Sequence, residues 1–126
     1  MDLQPRRFAD TLILAPVGRI DHANAESLRE ALAPHMLRCA AAQDQLVLDL
    51  SGVDYISSAG LRVLMLARKQ AKTQGGTLVV AGLQPVVREI FEISRFTVVF
   101  EVFPSVRDAL ARISPSALAA FDGGAT

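Results

Sequence analysis

One cysteine, Cys39, stands among 126 residues. It can form no internal disulfide and no cysteine-based metal site, and it fits a reducing compartment. Imidazole is nearly as scarce, with only His22 and His35. Neither charge is in excess, since 13 basic side chains stand against 13 acidic ones. A nucleic-acid binder ordinarily carries a basic surplus, so this balance argues against one. No apolar run approaches the roughly 18 residues that cross a bilayer. Asp10 sits where a signal peptide requires an apolar stretch. The expectation is a cytoplasmic protein that acts neither in membranes nor on nucleic acid. No phosphate-binding loop ending in Gly-Lys-Ser or Gly-Lys-Thr is present, and no Gly-x-Ser-x-Gly elbow. His22 beside Asp21 is no catalytic pair, because a serine hydrolase needs nucleophile, base and orienting acid in contact. The sequence thus points away from an enzyme and implies no cofactor.

What the chain does have is apolar residues, at 51%, enough for one domain with a full core. Residues 1–10 are mixed and leave room for a short edge strand. Residues 11–17 read as a strand in which Pro16, lacking an N–H, requires a free edge or a bulge. Gly18-Arg19 then turns the chain. Ala25, Leu28, Leu32, Met36 and Cys39 recur at helical spacing behind Asp21 or Asn24 as N-cap. Pro34 lies inside that pattern and predicts a kink or a split. Residues 46–50 and 77–81 are short apolar runs of the kind that is covered on both faces in parallel sheets. Between them, Ser58 to Thr73 reads as a helix stopped by Gln74-Gly75-Gly76. Pro85 opens a third helix ending near Ser94. Residues 97–100 read as the last strand, and Ser105 with Asp108 as the capping pair of a helix through Ile113. The alternation predicts an α/β fold with a mostly parallel mixed sheet of four to five strands and about four helices. The domain is expected over residues 1–113. Residues 114–126 read as a flexible tail in which Leu118 and Phe121 dock weakly.

In such sheets, functional groups gather beyond the carboxyl ends of strands, where loops run into helix starts. Two loops qualify, Asp54 to Gly60 and Gly82-Leu83-Gln84, and a parallel sheet could place both at one end. The first carries Ser57 and Ser58 at a helix start, where free N–H groups and the positive dipole end favour negative charge. Two readings stand. A serine caps the helix, which position alone favours. Or an exposed serine, Ser58 above all, accepts a phosphate, gaining roughly 1.5–2 negative charges and three acceptor oxygens. Asp21 is open in the same way, as a cap or as a neighbour of the serine loop. Asp49 and Asp54 are five residues apart with a strand end between them, and a solvated loop acid at Asp54 is a better reading than a metal-binding pair. In the following helix, Gly60, Leu64, Ala67 and Ala71 form the sheet-facing stripe. Leu61, Met65 and Leu66 lie off it. They are either an exposed patch for a protein partner or a surface covered by neighbouring helices. Arg62, Lys69 and Lys72 solvate the outer edge.

Asp49-Leu50-Ser51-Gly52-Val53-Asp54-Tyr55-Ile56-Ser57-Ser58-Ala59-Gly60-Leu61-Arg62-Val63-Leu64 resembles the signature of the STAS domain. More narrowly, it resembles that of the bacterial anti-sigma factor antagonists. Gly18-Arg19-Ile20-Asp21, leading to Ala25 and Leu28, resembles the start of the family's first helix. Ala81-Gly82-Leu83-Gln84-Pro85-Val86-Val87-Arg88, with Phe91 after it, resembles the start of its third. The likeness runs from about Phe8 to Ile113. It implies partner switching. An unphosphorylated antagonist binds an anti-sigma factor that is also a serine kinase and so frees the sigma factor. The kinase phosphorylates the antagonist with ATP, and a metal-dependent serine phosphatase reverses this. The resemblance places the phospho-acceptor at Ser58. Many members have an acid where Ser57 stands, which leaves Ser57 as a competing second hydroxyl. It further implies a partner surface of Asp21, Ser57, Ser58, Ala59, Gly60, Leu61, Arg62 and Met65. The alternative within the same fold is a scaffold subunit of a transport or lipid-trafficking complex that is never phosphorylated.

Overall fold

A strand half open to water shows every second side chain, but residues 11–14 and 78–81 show none. The computed structural model, which describes residues 1–123, explains this by covering both faces of the sheet. The chain runs β1 (Arg6–Phe8), β2 (Thr11–Leu14), β3 (Gly18–Ile20), α1 (Ala25–Arg38), β4 (Gln45–Asp49), β5 (Val53–Ile56) and α2 (Ser58–Thr73). It continues through β6 (Leu78–Ala81), α3 (Pro85–Ile93), the single turn α4 (Phe96–Val99), β7 (Val102–Phe103), α5 (Val106–Ile113) and α6 (Pro115–Gly123). The main sheet has the order β1-β2-β4-β6-β7, parallel except for the antiparallel edge strand β1. Leu12, Leu14, Leu46, Leu48, Leu78 and Val80 pack in one core with buried residues of α1, α2 and α3. The intervening Ile13, Val47, Val79 and Ala81 meet Ala109, Leu110 and Ala117 of α5 and α6 on the other face.

Several local expectations hold. Gly75 takes φ +72° after α2, and the Gly76 N–H returns to the Ala71 carbonyl at 2.8 Å, closing the helix end. Ser105 Oγ accepts from the Asp108 N–H at 3.1 Å and donates to its carboxylate at 3.0 Å. The split considered at Pro34 does not occur, since α1 runs as one helix from Ala25 to Arg38.

Four segments differ from the sequence reading. Gly18-Arg19 is part of β3 rather than a turn, and residues 53–56 are strand rather than loop. The two pair in parallel as a separate small sheet. Residues 97–100 are not the last strand. Alternation would bury Phe96, Val98 and Phe100 together, but Val98 is 82% exposed while the two phenylalanines are buried. Phe91, Phe96 and Phe100 share one ring cluster, with centroids 5.5–6.4 Å apart, and a helical turn keeps 96 and 100 on one side while turning 98 outward. The last strand is β7, further on. Residues 115–123 form a helix, not a loose tail, and residues 124–126 lie outside the described residues.

A buried carboxylate ties the sheet edge to α1. Asp44 accepts from both Nη groups of Arg7 at 2.9 Å and from Arg38 Nε at 3.2 Å, with its own side chain 8% exposed. The Arg7 hydrogen bonds, against the pull of desolvation, hold its carboxyl below the usual carboxylate range. The Ser114 hydroxyl does the same for Asp10. A folded-state value below the unfolded one, about 3.9, contributes stability that is complete above that pH and is lost as pH falls through the folded value. The unfolding temperature should therefore hold steady from about pH 7 to 5 and drop below about pH 4. Asp44→Asn should cost about 1–3 kcal/mol at neutral pH and decline less on acidification. Thermal unfolding along a pH series checks this, and parallel curves would count against it.

Candidate functional site

β3 and β5 run in parallel register with Ile20 beside Ile56, so the chain leaves both strands at the same edge. Asp21 follows one and Ser57 the other, and the Ser57 N–H donates to the Ile20 carbonyl at 2.8 Å. Two stretches far apart in sequence are thereby brought together.

The two serines differ in their surroundings. Ser57 is the N-cap of α2. Its backbone is extended, and its Oγ accepts from the Gly60 N–H at 3.3 Å. Ser58 is the first helical residue and is exposed, and its hydroxyl has no hydrogen-bond partner among the described residues. No acid stands in the first turn of α2. Arg62, exposed and one turn on from Ser58, shares its face of the helix.

Gly60 lets this helix start lie directly on the small sheet. A Cβ there would stand 2.6 Å from Ile20 Cγ2 and 2.8 Å from Ile56 Cγ1, both fully buried. Alanine would gain about 1 kcal/mol of helix propensity. Overpacking a fixed core costs about 1–3 kcal/mol. Because neither isoleucine has room to yield, Gly60→Ala should lower the unfolding temperature, with a net loss of about 1–2 kcal/mol.

Asp21 is not the cap of α1. That position belongs to Asn24, whose side chain makes no cap hydrogen bond. Instead its Oδ1 accepts from the Asp21 N–H at 2.8 Å and its Nδ2 donates to the Arg19 carbonyl at 2.6 Å. The Asp21 carboxylate accepts from the Ala23 N–H at 3.0 Å and from Arg19 Nε at 3.1 Å. Desolvation works against its charge, but these donors hold the carboxyl below the usual carboxylate range. It is a fixed anion on the rim of the serine loop.

Along α2, Gly60, Leu64, Ala67 and Ala71 are buried as the stripe predicts. Leu61 is not part of an exposed patch, being only 6% exposed. Met65 is half-buried and Leu66 is 47% exposed. The end of α3 and the start of the α4 turn stand beside this face of the helix. Ser94 and Phe96 form one wall of a shallow groove of about 390 Å³, opposite Ser58, Leu61, Arg62, Met65 and Leu66. Neither Ser94 nor Phe96 was singled out from the sequence. The phenylalanine spacing at 91, 96 and 100 was the available signal. Ala59 is half-buried against the main core.

The second loop sits elsewhere. Gln84 Nε2 donates to the Ser51 carbonyl at 2.7 Å, and Gly82, at φ +74°, lies against Asp49 and Ser51. It braces the corner before β5 rather than the serines after it. Asp49 accepts from the Ser51 N–H at 3.1 Å, and Asp54 is exposed. Among the described residues no cluster of three or more His, Cys, Asp or Glu could hold a metal ion, and no helix is long and apolar enough to cross a membrane.

The sequence profile of the STAS domain matches residues 3–109. The chain is 42% identical over 118 residues to a protein of Bordetella bronchiseptica provisionally named anti-sigma factor antagonist BtrV, covering 94% of this chain and 98% of that one. A Thermotoga maritima protein provisionally described as an anti-sigma factor antagonist superimposes with a TM-score of 0.79 at 18% identity, covering 88% of this chain and 93% of its own. The phosphorylated form of the Bacillus cell fate determinant SpoIIAA superimposes at 0.64 and 15% identity, covering 87% and 97%.

Proposed function

Because the chain belongs to the STAS domain family, and within it to the bacterial anti-sigma factor antagonists, we propose that it is a partner switch controlled at Ser58. Its unphosphorylated form binds an anti-sigma factor that is also a serine kinase and releases what that protein holds. Phosphate on Ser58 abolishes the binding, and a metal-dependent serine phosphatase restores it. The observation that carries this reading is the division of labour at the start of α2. Ser57 is committed to the Gly60 N–H, while the Ser58 hydroxyl is exposed and free.

The chemistry needs little from this chain beyond presentation. The kinase transfers the γ-phosphoryl group of ATP. A bond forms from Ser58 Oγ to phosphorus, the bond to ADP breaks, and the hydroxyl proton leaves to a base of the kinase. The helix start then holds the dianion, through its dipole and its free N–H groups. Arg62, four residues on, pairs with it at helical spacing. The domain stays folded, so the change is felt by whatever covers the groove.

Incubation with the cognate kinase and ATP, read by peptide mass spectrometry, tests the assignment. One phosphate on Ser58 is expected, and none on Ser58→Ala. Phosphate on Ser57 or elsewhere would sink it.

A further inference from the structure

Arg19 is held unusually firmly for a surface side chain. Its partner across the β3–β5 ladder is Tyr55. The guanidinium carbon stands 4.0 Å from the centre of the Tyr55 ring, within cation–π range. Nε donates to Asp21 Oδ2 at 3.1 Å. Ring and carboxylate together fix the plane of the guanidinium. The side chain is nonetheless 61% exposed, and its two Nη groups make no hydrogen bond among the described residues. The result is a rigid fork whose end-on pair of donors is open to solvent, on the ledge that leads to Asp21 and the serine loop.

We propose that Arg19 determines partner specificity by taking a carboxylate of the anti-sigma factor bidentately on its Nη edge, with Tyr55 and Asp21 as its positioning residues. This rests on the antagonist reading of the Ser58 site. A planar fork matches a planar carboxylate in shape, and two parallel N–H···O bonds add direction as well as energy. Immobilising an arginine usually costs affinity, but here Tyr55 and Asp21 have already done so in the free protein. Asp21 also selects the ligand. Its negative charge, 3.1 Å from Nε, disfavours a dianion beside Arg19 more than it disfavours a monoanion. The group bound is therefore a carboxylate from the partner, not the phosphate on Ser58. Arginine and tyrosine are also the residues on which binding energy tends to concentrate at protein interfaces.

The test is calorimetric titration of the anti-sigma factor that binds the wild-type protein. It is run against unphosphorylated wild type, Arg19→Lys, Arg19→Gln and Tyr55→Leu, each checked for an unchanged unfolding temperature. Arg19→Gln should bind about tenfold more weakly or worse. Arg19→Lys should be nearly as weak, because it keeps the charge and loses the fork and the stack. Tyr55→Leu should fall between. Wild-type affinity in Arg19→Lys would show that charge alone matters and overturn the proposal. So would an Arg19→Gln variant that binds normally and only sheds its phosphate at a different rate. A Ser58→Asp arm separates the two ideas. Normal binding by Ser58→Asp alongside weakened binding by Arg19→Gln removes the phospho-switch and leaves Arg19 standing. The reverse pattern removes Arg19 and leaves the switch.

Discussion

Ser58→Asp should weaken binding of the anti-sigma factor about 100- to 1,000-fold, while Ser58→Ala stays close to wild type. That range corresponds to about 2.7–4 kcal/mol. The size follows from where the charge sits. Ser58 lines the groove with Met65 and Leu66, whose open parts offer apolar surface to a partner, over a floor that the buried Leu61 and Phe96 help to form. A partner that seals this groove must strip water from a carboxylate or phosphate, at several kcal/mol for an ion left without a counter-charge. Arg62 offsets only part of that, since it is exposed and already solvated. The free protein feels the opposite effect. An acid in the first turn of α2 meets the positive dipole end and gains about 0.3–1 kcal/mol. The unfolding temperature of Ser58→Asp should therefore match or slightly exceed that of wild type. Lost binding with retained stability is the signature of a switch. Equal affinities for Ser58→Asp and Ser58→Ala by calorimetry would refute it, and a large fall in stability would point to a structural role for the hydroxyl.

The parts of this architecture that were legible in the sequence are those fixed by local chemistry. Leu46 to Leu48 and Leu78 to Ala81 are apolar without interruption, and that alone requires cover on both faces. Gly75 and Gly76 mark the end of α2 because the left-handed turn there suits glycine. Ser105 and Asp108 cap α5 through neighbours in sequence. What was not legible depends on distant contacts. β3 and β5 are three and four residues long and partly exposed, too short for a period to show. Residues 97–100 carry strand-favouring side chains, but the ring cluster with Phe91 overrides that preference. The burial of Leu61 is set by the core it shares with distant residues such as Phe96, which no property of Leu61 announces. At the site, two serines beside a glycine were visible as a pair. Which one caps and which one is free was decided by the hydroxyl geometry at Gly60.

Truncation after Ile113 should destabilise the protein by about 3–5 kcal/mol, by summing the losses at four contacts. α6 lies wholly beyond the residues that match the STAS profile, yet it completes the second core. Ala117 is fully buried there, and Leu118 and Phe121 pack against the same cluster. The Phe121 ring meets Phe8 of the edge strand edge-on, with centroids 5.3 Å apart. Such a pair contributes about 0.5–1.5 kcal/mol beyond its buried area. The apolar burial of three side chains adds about 1–3 kcal/mol, discounted because two of them are only half-covered. The cut also removes Ser114, whose hydroxyl donates to Asp10 at 2.6 Å and accepts from the Ala117 N–H at 3.2 Å. A hydrogen bond to a charged group carries about 1.5–3 kcal/mol, and Asp10 keeps Thr11 and Gln45 as donors, so the lower end applies. The Arg107–Asp122 pair at 3.0 Å is exposed and adds little. Chemical denaturation of the two chain lengths measures the difference. A truncated chain as stable as the full one would return residues 115–123 to the status of a tail. A loss of the expected size, with binding at the Ser58 groove unchanged in the fraction still folded, would make α6 a structural part of the domain on the face away from its partner surface.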